Sequence, residues 1–437
     1  ALETQNFTTA TDALNTAVGY YAGLSVSTGV QNTLIGGLAG DALTTGSYNV
    51  VVGHEALSTE DAHGNNVAIG NRALKTLNAG TAGLNTAVGD DAGTAVTTGI
   101  RNTLVGSEAG DALIDADDNV AVGALSLSAD TYGSKSTAIG RGALKVQNFT
   151  TASDSHNTAV GYSAGELVST GIQNTFVGSL AGDATTTASK NVGMGTNALS
   201  TNILGSNSTA VGTAALFTQN PATATDMHNT AVGFEAGKLI STGVNNTLIG
   251  GLAGSALTEG DNNLLLGKGA GLVGAPGGAF TNNDNQIVLG NDSSANAFIK
   301  IDWTVGSDQR DKTDIKTLPD NAGLNFVNQI RPVTYVWDNR SWYLPKDEDG
   351  NITDEDITKV TPDGSKKEDR THVGFIAQEI NAIEKSIGWT DDHIVNTSNE
   401  QSYGIQYNKF VPILVKAIQE QNALIESLTA RITTLEG

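Results

Sequence analysis

Within Gly306-Ser307-Asp308-Gln309-Arg310-Asp311-Lys312, a serine is followed five positions later by a lysine. A serine hydroxyl is inert until a base takes its proton, and a lysine amine can be that base once desolvation lowers its pKa. The pair reads as a place where the chain could be cut. Spacing alone does not establish it, because a serine five positions from a lysine is a common coincidence. Other chemistry-bearing residues do not converge. His54, His63, His156, His228 and His393 lie in loops or at the crossings of a repeat, without metal-ligand spacing. There is no cysteine, which excludes disulfides and thiolate metal sites. The stretch 346–370 has the Asp and Gly content of a calcium loop but not its ordered ligands and closing Glu, so it reads as a solvated hairpin loop. No metal and no cofactor is expected.

The chain's composition changes near this serine. With 437 residues it exceeds one compact core of ordinary size, so several domains or an elongated repeat are expected. The 46 acidic and 24 basic residues give a net charge of -22, which argues against a nucleic-acid partner. No apolar run approaches the roughly 18 residues that cross a bilayer, so no membrane insertion is expected. Positions 1–299 hold 23 acidic and 9 basic side chains, and positions 300–437 hold 23 and 15. Glycine divides 44 to 8, and Trp303, Trp337, Trp342 and Trp389 all fall in the later part. Two unlike pieces are joined near position 300.

The first piece is a repeat. The pentad Asn15-Thr16-Ala17-Val18-Gly19 returns at 32–36, 49–53 and 66–70, and starts again at Asn85. Sixteen units are counted, their closing glycines running from Gly19, Gly36, Gly53 and Gly70 to Gly290. The usual step is seventeen positions, and every fourth step is longer. Gly19, Gly89, Gly161 and Gly233 therefore head almost evenly spaced sets, which marks duplicated blocks of four units. So short a period does not accommodate helical hairpins or propeller blades, and the glycine content opposes helix. One coil of a β-solenoid per unit fits. Each pentad then forms a short strand whose closing glycine turns a corner at positive φ. The opening Asn, replaced by Ser136 and Ser208 in two units, stacks into a hydrogen-bonded ladder. Side chains alternate across a strand, yet both inner columns are apolar, as in Leu34/Ile35 and Phe176/Val177. One column fills the coil; the other must be covered, and another chain is the favoured cover.

These rungs, as in Asn66-Val67-Ala68-Ile69-Gly70, resemble the head repeats of YadA-like trimeric adhesins over about positions 1 to 290. That resemblance implies a left-handed parallel β-roll that trimerises. The period here is longer than that family's compact rung, so the loops should project further. Ala1 to Gly19 aligns without gaps to Ala143 to Gly161, so the sequence begins in the middle of a unit and the natural protein is expected to extend upstream.

After Gly290 the rungs stop, and 291–306 reads as a short strand-rich neck. Then follow Ser307 to Lys312, the run Pro332-Val333-Thr334-Tyr335-Val336-Trp337, the run His372-Val373-Gly374-Phe375-Ile376-Ala377-Gln378-Glu379, and Pro412 leading into a helix. This order resembles the intramolecular chaperone domain of phage endosialidases and tail fibres, the peptidase S74 family, over positions 307 to 437. The resemblance implies a domain that trimerises, templates folding of the β-fibre before it and then cuts itself off. It makes Ser307 the nucleophile and Lys312 its base, with the scissile bond flanking Ser307, among Gly306, Ser307 and Asp308. His372 could assist, although a lone histidine beside an apolar run is more often a packed structural residue. In the last helix Ile418, Ile425 and Ile432 stand seven apart, interleaved with Leu414, Leu428 and Leu435, a coiled coil of about three heptads. Its Ile and Leu alone lean towards a dimer. A trimer is expected nonetheless, because so short a coil is marginal and the larger β-domain should set the symmetry.

The expected fold is therefore an all-β repeat, a trimeric left-handed parallel β-roll over 1–290, then a neck over 291–306, a small α+β chaperone domain over 307–410 and a coiled-coil helix over 411–437. The expected protein is a homotrimeric phage-type tail fibre or adhesin shaft, in a virion or at an extracellular surface, meeting a host cell-surface glycan or protein receptor. Its one expected reaction is a single self-cleavage. The alternative is a tailspike glycan depolymerase, which needs two placed carboxylates, and the array's acids fall irregularly, as at Asp90, Asp91 and Glu235. A cellular protein releasing an intracellular fragment finds no DNA-binding features in the array.

Overall fold

A computed structural model describes residues 1–294, 296–300, 305–346, 356–397 and 402–437. Trp303 and positions 347–355 of the acidic loop lie outside the described residues; the rest of that loop includes one 3-10 turn, Ile357–Lys359. The chain divides into two compact units, Ala1–Ala270 with Phe280–Leu289, and Gly271–Ala279 with Gly290–Gly437.

The first unit is a parallel β-solenoid. Each pentad supplies a three-residue strand, from Thr16–Val18 to Ile287–Leu289, and these form one 16-stranded parallel sheet. Pairing is in register from coil to coil: Thr16, Ala17 and Val18 face Thr33, Leu34 and Ile35. The closing glycines turn the corner at positive φ. Gly53 sits at φ 145°, where a Cβ would stand 2.1 Å from the carbonyl oxygen of Gly70 one coil on. The asparagine ladder runs through the backbone as well as the amides. Asn15 Oδ1 accepts from the Asn32 N–H at 2.9 Å, and Asn32 Nδ2 donates to the Gly46 carbonyl at 2.9 Å. The amide-to-amide bond appears at Asn49 to Asn32, 3.2 Å, and Asn263 to Asn246, 3.0 Å. Gln286, not Asn, opens the last unit, and its N–H keeps the ladder by donating to Asn263 Oδ1.

The middle strand residue points inward and is fully buried, as at Leu34, Val51, Phe176 and Leu265. The third points outward and is half-buried in most coils, opening further at Val18 (59% exposed), Met194 (43%) and Leu289 (50%). The interior carries more polar chemistry than the repeat suggests. In the third coil of three successive blocks a buried side chain turns back on its own loop: Glu60 accepts from His63 N–H, Asp130 from Gly133 N–H and Asn202 from Gly205 N–H, each at 3.0 Å. Positive φ is also not confined to glycine. Leu57 and Leu74 (φ 47° and 50°) occupy the corner that Gly23 and Gly40 occupy in the coils before them. A left-handed leucine costs about 1–2 kcal/mol, and full burial of its side chain offsets a comparable amount. Two of the longer spacings, Gly140 to Gly161 and Gly212 to Gly233, carry an extra two-residue strand, Ser153–Asp154 paired with Gly133–Ser134 and Thr225–Asp226 paired with Gly205–Ser206.

The second unit is small and mixed. Three helices, α1 (Leu324–Gln329), α2 (Ala377–Ser386) and α3 (Phe410–Glu436), accompany two short antiparallel pairs, Val333–Tyr335 with His372–Gly374 and Val395–Asn396 with Gly404–Ile405. Phe326, Ile380, Ile394, Val395, Phe410 and Ile413 form its main core. A second cluster joins Val273, Leu344 and Ile357, which is why Gly271–Ala279 belongs here. No strand falls among the described residues of 291–306, and positions 295 and 301–304 of the expected strand-rich neck lie outside the described residues. The polar side chains there bond their own backbone instead: Ser294 Oγ accepts from Asn291 N–H, and Asn291 Oδ1 accepts from Ser293 N–H.

The candidate self-cleavage site

Ser307 leads into a single turn of 3-10 helix, Gln309–Asp311. Asp308 precedes the turn in an extended conformation (φ -67°, ψ 135°) and caps it, its Oδ1 accepting from the Arg310 N–H at 2.9 Å. The same carboxylate grips the Arg310 guanidinium: Nη2 donates to Oδ2 at 2.6 Å and Nε lies 3.1 Å from both oxygens. Arg310's side-chain hydrogen bonds hold the Asp308 carboxyl below the usual carboxylate range, and Asp308 raises the guanidinium in turn. The turn closes with Lys312 N–H donating to the Gln309 carbonyl at 3.1 Å. Lys312 is thereby carried back over Ser307, and its Nζ lies 2.6 Å from Ser307 Oγ. The two residues that the sequence paired are in hydrogen-bond contact. Both are exposed, as are Gly306 and Asp308, and a Cβ on Gly306 would meet nothing within 4 Å.

His372 is placed elsewhere in its contacts. It pairs across the sheet with Tyr335, stacks on that ring at 5.6 Å, lies edge-on to Trp337, and sets Nε2 3.3 Å from Glu368 Oε2. None of these contacts reaches Ser307 or Lys312. The other motif residues hold the unit together. A Cβ at Gly374 would stand 2.6 Å from the Tyr407 hydroxyl, which would have to shift to admit it. Glu379 pairs with Arg331. Glu420, one turn past the buried Ala417, accepts from the Leu324 N–H at 2.7 Å and so caps α1. Glu384, buried on α2, accepts from the N–H groups of Ile394 and Val395 at 2.7 and 3.2 Å. The clasp of Asp308 on Arg310 and these carboxylate caps escaped sequence reasoning. The first had a signal in the i, i+2 acid and base around the turn.

In the solenoid, the donor atoms of Glu60, Asp61 and His63 gather within 4.8 Å, the one such group among the described residues. Glu60 is already used there, with Oε1 taking the His63 N–H and Oε2 the Ala79 N–H.

The chain is thus a parallel solenoid followed by a small mixed domain that carries the Ser307/Lys312 pair. Residues 307–388 match the family model for the chaperone of endosialidase, Peptidase S74, and the match begins at Ser307 itself. That family is associated with phage tails, and the solenoid fits a tail-fibre or tailspike shaft. Comparison with curated proteins and with solved structures gives no match. No helix among the described residues is long and apolar enough to cross a membrane.

Proposed function

We propose that the chain is a homotrimeric tail-fibre or adhesin shaft whose terminal domain aligns three copies and then severs itself beside Ser307. The observation that carries the reading is the 2.6 Å contact of Lys312 Nζ with Ser307 Oγ at the first residue of the family match. Neutral Lys312 takes the Ser307 proton as Oγ bonds to the carbonyl carbon of the flanking peptide. The C–N bond then breaks, and the departing amine takes that proton from the lysine. Water splits the resulting ester and restores the hydroxyl. Lysine serves as base only when desolvated, and in a single chain both residues face solvent. Burial by assembled copies would supply the missing desolvation, which makes cleavage follow assembly.

Two exposed apolar faces support association. One is the outward strand column, half-buried in most coils and exposed at Val18, Ile35, Ile139, Met194, Ile249 and Leu289; the other is α3, where Ile418, Ile425 and Ile432 are each more than half exposed. Register is the reason for a separate assembly domain. Every coil pairs with the next in the same register, so a slip of one coil preserves most contacts. Joining three chain ends first removes that ambiguity, and later removal of the domain makes unfolding a kinetic matter. The depolymerase reading gains no support from the acids of the array, whose burial recurs with the block period as scaffold.

The test compares full-length wild type with Ser307→Ala on denaturing gels. Wild type is expected to yield a carboxyl-terminal fragment that starts beside Ser307 and runs to Gly437, which the variant lacks; an intact wild type after full assembly sinks the cleavage reading.

A further inference from the structure

The geometry points to Asp308 and Arg310 as positioning residues that act as one clasp, bending the chain so that Lys312 meets Ser307. The inference rests on the self-cleavage reading but concerns how the pair is brought together. The turn's backbone bonds, Asp311 N–H to the Asp308 carbonyl and Lys312 N–H to the Gln309 carbonyl, close it, and the clasp braces that closure from the side chains. Gln309–Asp311 is a single 3-10 turn with no buried residue, so no core packing holds its shape. Its hydrogen bonds are local: the Asp308 carboxylate takes the Arg310 backbone N–H and three contacts from its guanidinium, and the Lys312 N–H closes on Gln309. A free chain between the two would let Lys312 sample many positions, most of them away from Ser307. One carboxylate that both caps the turn and holds the arginine removes most of that freedom before any partner copy arrives. The dyad is thus assembled locally, and assembly of copies is left only the task of excluding water.

Because cap and ion pair share one carboxylate, the two residues should be non-additive. In the full-length chain, Asp308→Ala is expected to slow fragment release about tenfold, in line with loss of a cap and an exposed pair. Asp308→Asn, which keeps the cap acceptor, should lose less. Arg310→Ala should slow release a few-fold, with Arg310→Lys recovering part of it. The double variant Asp308→Ala/Arg310→Ala should be no slower than Asp308→Ala alone, at unchanged yield of assembled protein. Wild-type rates in both single variants, or losses that multiply in the double variant, overturn the clasp. If wild type itself stays intact, the self-cleavage reading has failed and the clasp is read on the uncut chain, by mass-spectrometric rates of Lys312 acetylation with acetic anhydride. A lysine held against a hydroxyl should acetylate several-fold more slowly in wild type than in Asp308→Ala; equal rates overturn the proposal.

Discussion

At the scale of single residues, the Ser307 and Lys312 contact separates two roles that sequence alone left together with His372. Lysine can lose its proton near neutral pH when desolvated, whereas a guanidinium cannot. Lys312→Arg is therefore expected to abolish fragment release on a time course where wild type is complete, though it keeps the positive charge. His372 is held by Tyr335, Trp337 and Glu368, so His372→Ala should leave the release rate within a few-fold and lower the unfolding temperature of the terminal unit instead. Complete loss of release from a well-assembled His372 variant would return it to the reaction. In the shaft, Gly53→Ala places a Cβ 2.1 Å from the Gly70 carbonyl at φ 145° and should cost at least about 3 kcal/mol. Gly80→Ala has a positive φ but open space around it, and about 1 kcal/mol is expected. Thermal unfolding of the uncut Ser307→Ala chain carrying each substitution measures the difference.

At the scale of the coil, the block repeat places Asp41, Asp111 and Asp183 at one position of the second coil in the first three blocks, and burial raises all three carboxyls. Asp111 is raised to about 6, by desolvation first, with Glu108 and Asp91 adding repulsion, and one of its oxygens is buried without a donor. A carboxyl whose folded pKa exceeds its unfolded value binds more protons when folded. Its contribution is therefore fully present below about pH 4 and is lost as pH rises to about 6. Asp111→Asn should leave stability unchanged at pH 4 and raise it at pH 7.5, by about 1 kcal/mol once solvent screening at a half-exposed site is allowed for. Equal effects at both pH values would show that the carboxyl is not under strain. Asp183 should respond less, because Ser200 Oγ donates to it at 2.6 Å.

At the scale of the whole molecule, the proposed association is tested at the exposed isoleucines of α3. Ile425 is 54% exposed on a helix whose buried residues, Phe410, Ile413 and Ala417, all lie in its first third. The remainder has no core of its own to meet. The uncut Ser307→Ala protein should weigh three chains by light scattering, and adding Ile425→Asp should reduce that mass and send the shaft into aggregates on refolding. A three-chain mass that survives Ile425→Asp would move the assembly interface to the outward strand column.

The repeat made the solenoid legible, since an Asn-to-Gly pentad returning at a nearly constant step sets strand, corner and ladder by local geometry. The inward and outward columns followed from alternation. The pairing of Ser307 with Lys312 came from the resemblance rather than from spacing, and one short turn is enough to bring them together. The sequence did not show the left-handed leucines, since Leu57 is tolerated at its corner only because the coil interior buries it. Nor did it show Glu60, Asp130 and Asn202 inside the coil, where polar side chains are tolerated because the loop's own N–H groups satisfy them. In the terminal unit, Glu420 caps α1 from 96 positions away and Glu379 meets Arg331 from 48. Contacts of that separation leave no periodic trace. Only the tertiary structure decided them, and with them the packing of His372 against Tyr335 and Trp337.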